Sequence, residues 1–177
     1  MYIWIGCAVP EDIAAPLRAY CRECNQGLCL STVAFALPQH ISLKISFSVP
    51  EPEPVLTFLE EILSKECRFE AGFAEISKLG NILWCGIREN PRMPQLHQQL
   101  DTLLQTHWGV TPHPFDLDFQ FHSTLFLDSD EGKLEQMCSL LQHYPLPETF
   151  PVTTCLLGTS PDGTPGSYQV VRKFNFL

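Results

Sequence analysis

The chain of 177 residues is long enough for one compact domain, or for two small lobes sharing an interface. With 45% hydrophobic and only 18% charged residues it can build a real core, which excludes a disordered chain. Eleven basic against twenty acidic residues give a formal charge of −9; this argues against salt-driven binding to long nucleic acid but leaves room for a local site for a small nucleotide.

The opening MYIWIGCAVPED lacks a basic region and turns polar after nine residues. It reads as a first strand over 2–9 rather than a secretory signal. Pro10, Glu11 and Asp12 begin a helix that runs to about Gly27, with Pro16 inside it. A short strand at 32–37 and a longer one at 40–49 follow. A helix at 51–65 carries Leu56, Leu59 and Leu63 at helical spacing, and 68–79 reads as a strand. The order then begins again. Residues 81–88 form a strand, and 91–106 form a helix with Leu96, Leu100, Leu103 and Leu104 in one stripe. A proline-broken loop leads to a strand at 119–127. Asp128 or Ser129 caps a helix reaching about His143, with Leu134, Met137, Cys138 and Leu141 inward. Strands at 150–158 and 167–176 flank the turn-rich SPDGTPGS. No run approaches the length of a membrane span. Of the eight cysteines, Cys7, Cys85, Cys138 and Cys155 sit in apolar patterned segments, as small hydrophobes do. A cytoplasmic protein with free thiols is expected.

Each half, about 1–80 and 81–177, thus reads strand–helix–strand–helix–strand, and a short pattern recurs in each. His40-Ile41-Ser42-Leu43 lies in the third segment of the first half, His122-Ser123-Thr124-Leu125 in that of the second. Strand side chains alternate between faces. His40 and Ser42 therefore share one face, with Lys44 continuing it. His122 and Thr124 share another, continued by Phe126. Ile41, Leu43 and Ile45 point oppositely, into a core. If the two strands meet across a groove, it holds two imidazoles and two hydroxyls, a set suited to moving protons around a phosphate.

HISLK followed by a helix, a distant HSTLF and a closing LGTSPDGTPGSYQVV together resemble the 2H phosphoesterase superfamily, in its bacterial 2′–5′ RNA ligase-like, or RNA 2′,3′-cyclic phosphodiesterase, branch. The opening MYIWIGCAVPEDI resembles that family's first strand and helix, so the likeness spans nearly the whole chain. One such tetrapeptide arises easily by chance; two, each on a strand and in the right halves, form a far more specific signal. The resemblance implies a single α+β domain of two pseudo-symmetric lobes of antiparallel sheet with outer helices, and a central groove. It implies no metal and no other cofactor. The family's histidines correspond to His40 and His122, its hydroxyls to Ser42 and Thr124. Ser123 stands where the family usually has an apolar residue, which is expected to weaken packing rather than chemistry. Phe126-Leu127-Asp128 stands where many relatives carry a basic residue, which argues against tight binding of RNA polymers.

The chemistry this implies is opening of a 2′,3′-cyclic phosphate or a 2′–5′ phosphodiester of a nucleotide or RNA end. One histidine activates water and the other protonates the departing ribose oxygen, roles an imidazole with an ordinary pKa near ~6.5 can fill at neutral pH. Ser42 and Thr124 would donate to the non-bridging oxygens. Run backwards, the site would join a cyclic phosphate to a 5′-hydroxyl. Lys44 is a candidate to draw in an anionic substrate, and Phe126 a candidate to stack on a base; a solvated charge and a core ring are the plainer readings. Tyr168 matches a tyrosine in the family's C-terminal strand and reads as packing. The alternative is a nucleotide- or RNA-end-binding module of the same fold without turnover.

Other clusters have plainer explanations. His113, Asp116, Asp118 and His122 suit Zn or Mn by type, but their segment is proline-broken. Cys21 and Cys24, with Cys29 nearby, lack a second such pair and fall on an amphipathic helix. His97 reads as solvent-facing beside Asp101. His107 and His143 close helices, where a cation suits the dipole.

Overall fold

The computed structural model describes residues 1–177. Strand β1 (Tyr2–Ala8) is followed by α1 (Glu11–Asn25), β2 (His40–Ser42), β3 (Phe47–Ser48), α2 (Pro52–Leu63), β4 (Phe69–Ala71), β5 (Phe73–Leu79), β6 (Ile82–Ile87), α3 (Arg92–Trp108), β7 (His122–Leu127), α4 (Glu131–Leu141), β8 (Phe150–Val152), β9 (Thr154–Ser160) and β10 (Gln169–Asn175). All strand pairs are antiparallel. The larger sheet has the order β10-β9-β1-β2, with β3 also on β1; a second has the order β5-β6-β7; β4 and β8 form a short ribbon. This is the expected α+β architecture. The sheets cut across residue 80: β5 pairs with β6, whereas β9 and β10 return to β1.

Helical periodicity places the helices. Helix α1 buries Ala14, Leu17 and Cys21, α2 buries Val55, Leu56, Leu59 and Leu63, and α4 buries Leu134, Met137, Cys138 and Leu141. Helix α2 packs on β9 and β10, while α4 packs on β5 and β6 and meets α1. One contiguous hydrophobic core joins these layers. Helix α4 starts two residues later than expected from Asp128, because Asp130 accepts a hydrogen bond from the Lys133 N–H and caps it.

Three departures shape the groove. Residues 33–36 form a 3₁₀ turn instead of a strand, closed by the Phe35 N–H on the Thr32 carbonyl. Asn25 clamps the approach to it by bonding both backbone groups of Leu30. The expected strand over 40–49 breaks after Ser42, since Lys44 and the Ile45 N–H turn to Asp116. Glycine breaks the strand over 68–79: a Cβ at Gly72 would lie 1.7 Å from the Glu148 carbonyl oxygen, so only hydrogen fits there.

Candidate active site

The two motif strands, β2 and β7, meet where the two larger sheets adjoin, and His40, Ser42, His122 and Thr124 line one cavity of ≈ 320 Å³. Each histidine is held in the same way. The Nδ1 atom of His40 lies 2.7 Å from the Pro38 carbonyl, and that of His122 lies 2.6 Å from the Gln120 carbonyl, both two residues upstream. A carbonyl only accepts, so Nδ1 carries the proton in the neutral ring. The lone pair is thereby left on Nε2, which has no protein partner and is open to the groove.

A tryptophan orders each imidazole. Trp4 meets His40 edge-on and Trp84 stacks on His122, both at 4.2 Å between ring centroids. The Trp4 ring lies over two glycines, Gly158 directly across the strand pair and Gly6 two residues along. A Cβ at Gly6 would come within 2.6 Å of that ring, and one at Gly158 within 2.7 Å. The Trp4 indole N–H donates to Ser42 Oγ at 3.2 Å, leaving the hydroxyl proton of Ser42 free for a ligand oxygen.

Burial of the rings disfavours their charged forms. It pushes His40 down to about 4; the Pro38 carbonyl partly opposes this and nearby His122 adds to it. Burial also lowers His122, opposed by the Gln120 carbonyl. Both rings are therefore neutral at pH 7.

Two expected groove contacts are corrected. Phe126 is wholly buried, packs on Phe35 and does not line the cavity. A β-bulge is the reason: Trp84 pairs with Thr124, but the preceding Leu83 pairs with Phe126, so Leu125 is an extra residue and the alternation flips after it. Leu127 takes the groove position instead. Lys44 does reach the groove wall, but it is 2% exposed and its ammonium is ion-paired to both Asp101 and Asp116, the latter at 2.6 Å. It is a structural cation, not a free one.

His97 is likewise corrected, from solvent-facing to buried. Its Nδ1 lies 2.7 Å from the Leu43 carbonyl and its Nε2 lies 3.0 Å from that of Asp116, and it stacks on Phe119. His97, Asp101 and Asp116 bring metal-ligating types together, but Lys44 already bridges the two carboxylates. Of the other group weighed for a metal, His113 caps the turn at Pro114–Asp116, Asp118 is exposed, and His122 stays in the groove. Cys21, Cys24 and Cys29 are free thiols, buried, half-buried and exposed in turn.

Sequence reasoning missed the bond that joins the motifs. Ser123 is fully buried and its hydroxyl donates to the His40 carbonyl at 2.7 Å, while the Gln39 amide donates to Ser123 Oγ at 2.6 Å and to the Thr124 carbonyl at 2.9 Å. Ser123 strengthens the junction where loose packing was expected. The signal was a polar residue on the core face of a strand, which calls for a buried partner. Tyr168 was read as packing; it lines the groove, and its hydroxyl is buried beside Ser46 without a well-formed hydrogen bond.

The sequence model of the 2′-5′ RNA ligase superfamily matches residues 9–161. The chain belongs to that superfamily, a branch of the 2H phosphoesterases. Membership makes this a phosphoesterase- or ligase-type enzyme. No curated protein matches it in sequence. Among solved structures it is similar to the TT0787 protein of Thermus thermophilus, with TM-score 0.68 and 16% identity over 99% of this chain and 98% of that one. It is also similar to LigT of E. coli complexed with ATP, with TM-score 0.66 and 17% identity over 99% and 97%. A crystal structure named only as a phosphoesterase matches with TM-score 0.62 and 18% identity over 98% and 97%. At these identities the three likenesses show the shared fold. No helix is long and apolar enough to cross a membrane.

Proposed function

We propose that the chain hydrolyses 2′,3′-cyclic phosphate or 2′–5′ phosphodiester bonds of nucleotides or RNA ends, without a metal, by paired-histidine acid–base catalysis. One observation carries this reading: two imidazoles, one from each motif, enter the same cavity with Nδ1 tied to a backbone carbonyl and Nε2 free. E. coli LigT complexed with 3′-AMP has the same fold, and a 3′-nucleotide is a product of the proposed reaction.

One imidazole is the base that takes a proton from water, and the other is the acid that protonates the departing ribose oxygen. Water attacks phosphorus opposite that oxygen, the P–O bond to ribose breaks, and a phosphomonoester remains. The negative charge of a bound phosphodiester raises the pKa of both rings back toward its ordinary value, so that one proton is held between them. Ser42 and Thr124 donate to the non-bridging oxygens as charge gathers there. Tyr168 offers its hydroxyl to the rest of the substrate. Metal independence is supported by the donor set: no carboxylate or thiol lines the cavity, and a hard divalent cation favours oxygen ligands. The reverse reaction would join a cyclic phosphate to a 5′-hydroxyl.

The test is release of 2′- or 3′-nucleotide from 2′,3′-cyclic nucleotides, with and without EDTA, beside binding of the same ligands. His40→Ala and His122→Ala should each nearly abolish release. Wild-type rates in either variant would refute the pairing. Binding without turnover in the wild type would select a non-catalytic nucleotide- or RNA-end-binding module.

A further inference from the structure

Charge is distributed around the groove in an unusual way for an anion site. Of the residues lining it, only His40, His122 and Lys44 can carry positive charge. Burial favours the neutral form of both imidazoles. The Lys44 ammonium is sealed between two carboxylates. No guanidinium or free ammonium reaches the cavity, whose remaining wall is largely apolar: Trp4, Leu37, Ile82, Phe119 and Leu127 are among its members.

Two lining residues, Leu127 and Gly163, have an acidic neighbour in the chain. Asp128 follows Leu127 directly, and the Asp130 and Ser31 N–H groups hold its carboxyl below the usual range. Asp162 precedes the lining residue Gly163, and hydrogen bonds from Thr164 hold its carboxyl down at about 2. Both are therefore anionic at neutral pH. The cavity, at ≈ 320 Å³, is at the small end of the usual range of about 300–1,000 Å³ for ligand sites.

We infer that this groove selects a compact phosphodiester whose only negative charge is the reacting phosphate, such as a nucleoside 2′,3′-cyclic phosphate, and rejects nucleotides and RNA ends that carry further phosphates. The inference rests on the proposed phosphodiester chemistry and narrows it. A single charge is met by the proton shared between the imidazoles and by neutral donors from Ser42, Thr124 and Tyr168. A second phosphate, carrying about −1.5 to −2 at pH 7, would find an apolar wall without a free cation and lose its hydration without a partner. The same asymmetry favours product departure, because ring opening converts a monoanion into a phosphomonoester approaching two charges.

The deciding comparison uses a matched pair, adenosine 2′,3′-cyclic phosphate with and without a 5′-phosphate. The added phosphate should lower kcat/KM at least ~10-fold, as desolvation of an unpaired charge predicts. Leu127→Arg, which places a cation on the groove wall, should shrink that ratio. Calorimetry with adenosine 3′-phosphate and adenosine 3′,5′-bisphosphate supplies an arm independent of turnover, in which the bisphosphate should bind more weakly to the wild type. Equal use of the matched pair, or tighter binding of the bisphosphate, would overturn charge selection while leaving the hydrolysis reading intact. Neither turnover nor binding of any of the four would overturn both.

Discussion

The Ser123 hydroxyl donates to the backbone carbonyl of His40 at 2.7 Å, so the second motif holds the backbone of the first. Ser123 is removed from water, and Gln39 completes the junction from the β2 side. The relative position of the two imidazoles thus depends on a hydrogen bond between residues 83 apart in the chain.

Ser123→Ala removes the donor and strands the His40 carbonyl. Leaving such a group unsatisfied costs about 1–3 kcal/mol. The expected result is a lower urea midpoint, together with a fall in kcat for a cyclic nucleotide that exceeds the rise in KM. Unchanged kcat in a folded variant would show that the imidazoles are positioned without this bond.

The pH dependence follows from the two lowered histidines. Catalysis requires one ring protonated and one neutral. In the free enzyme that state is fullest between their two apparent values, both below the ordinary 6.5, with His40 at about 4. The kcat/KM profile for a cyclic nucleotide should therefore peak on the acid side of pH 6.5 and fall as pH rises toward 8. A maximum at pH 8 or above would contradict the assignment.

Lys44 holds two acids in place. Burial alone would raise Asp116, but the Lys44 ammonium and the N–H groups of His113 and Ile45 outweigh it and keep its carboxyl below the usual range. A depressed carboxylate stabilises the fold above its unfolded pKa, near ~3.8, and that stability is lost as pH falls through the lower folded value. Lys44→Ala leaves the carboxylates unanswered and should destabilise by about 3–5 kcal/mol in denaturant titrations. A loss near zero would mean that the ammonium is replaceable by water.

Tyr168→Phe separates affinity from stability. Its buried hydroxyl lies by Ser46 without a well-formed hydrogen bond, so removing it should change the melting temperature little. The same change should raise KM for a cyclic nucleotide by about 3–10-fold, the worth of one hydrogen bond. A drop in melting temperature with unaltered KM would return Tyr168 to a packing role.

Much of the site was legible because strand and helix periodicities are local. Alternation alone put His40 with Ser42 and His122 with Thr124, and the 3.6-residue stripe identified the buried faces of α2 and α4. What local pattern could not supply was the identity of distant partners. Phe126 and Leu127 exchanged places because one extra residue in β7 is accommodated against Leu83 and Trp84 of another strand. Lys44 lost its place as a free cation because Asp101 and Asp116, 57 and 72 residues away, close around it. His97 went inward because its ring stacks on Phe119 between the Leu43 and Asp116 carbonyls, which lie far from it in sequence. Backbone geometry dictates which way a side chain points within its own element, whereas burial, ionisation and bonding are set by what the rest of the chain brings against it.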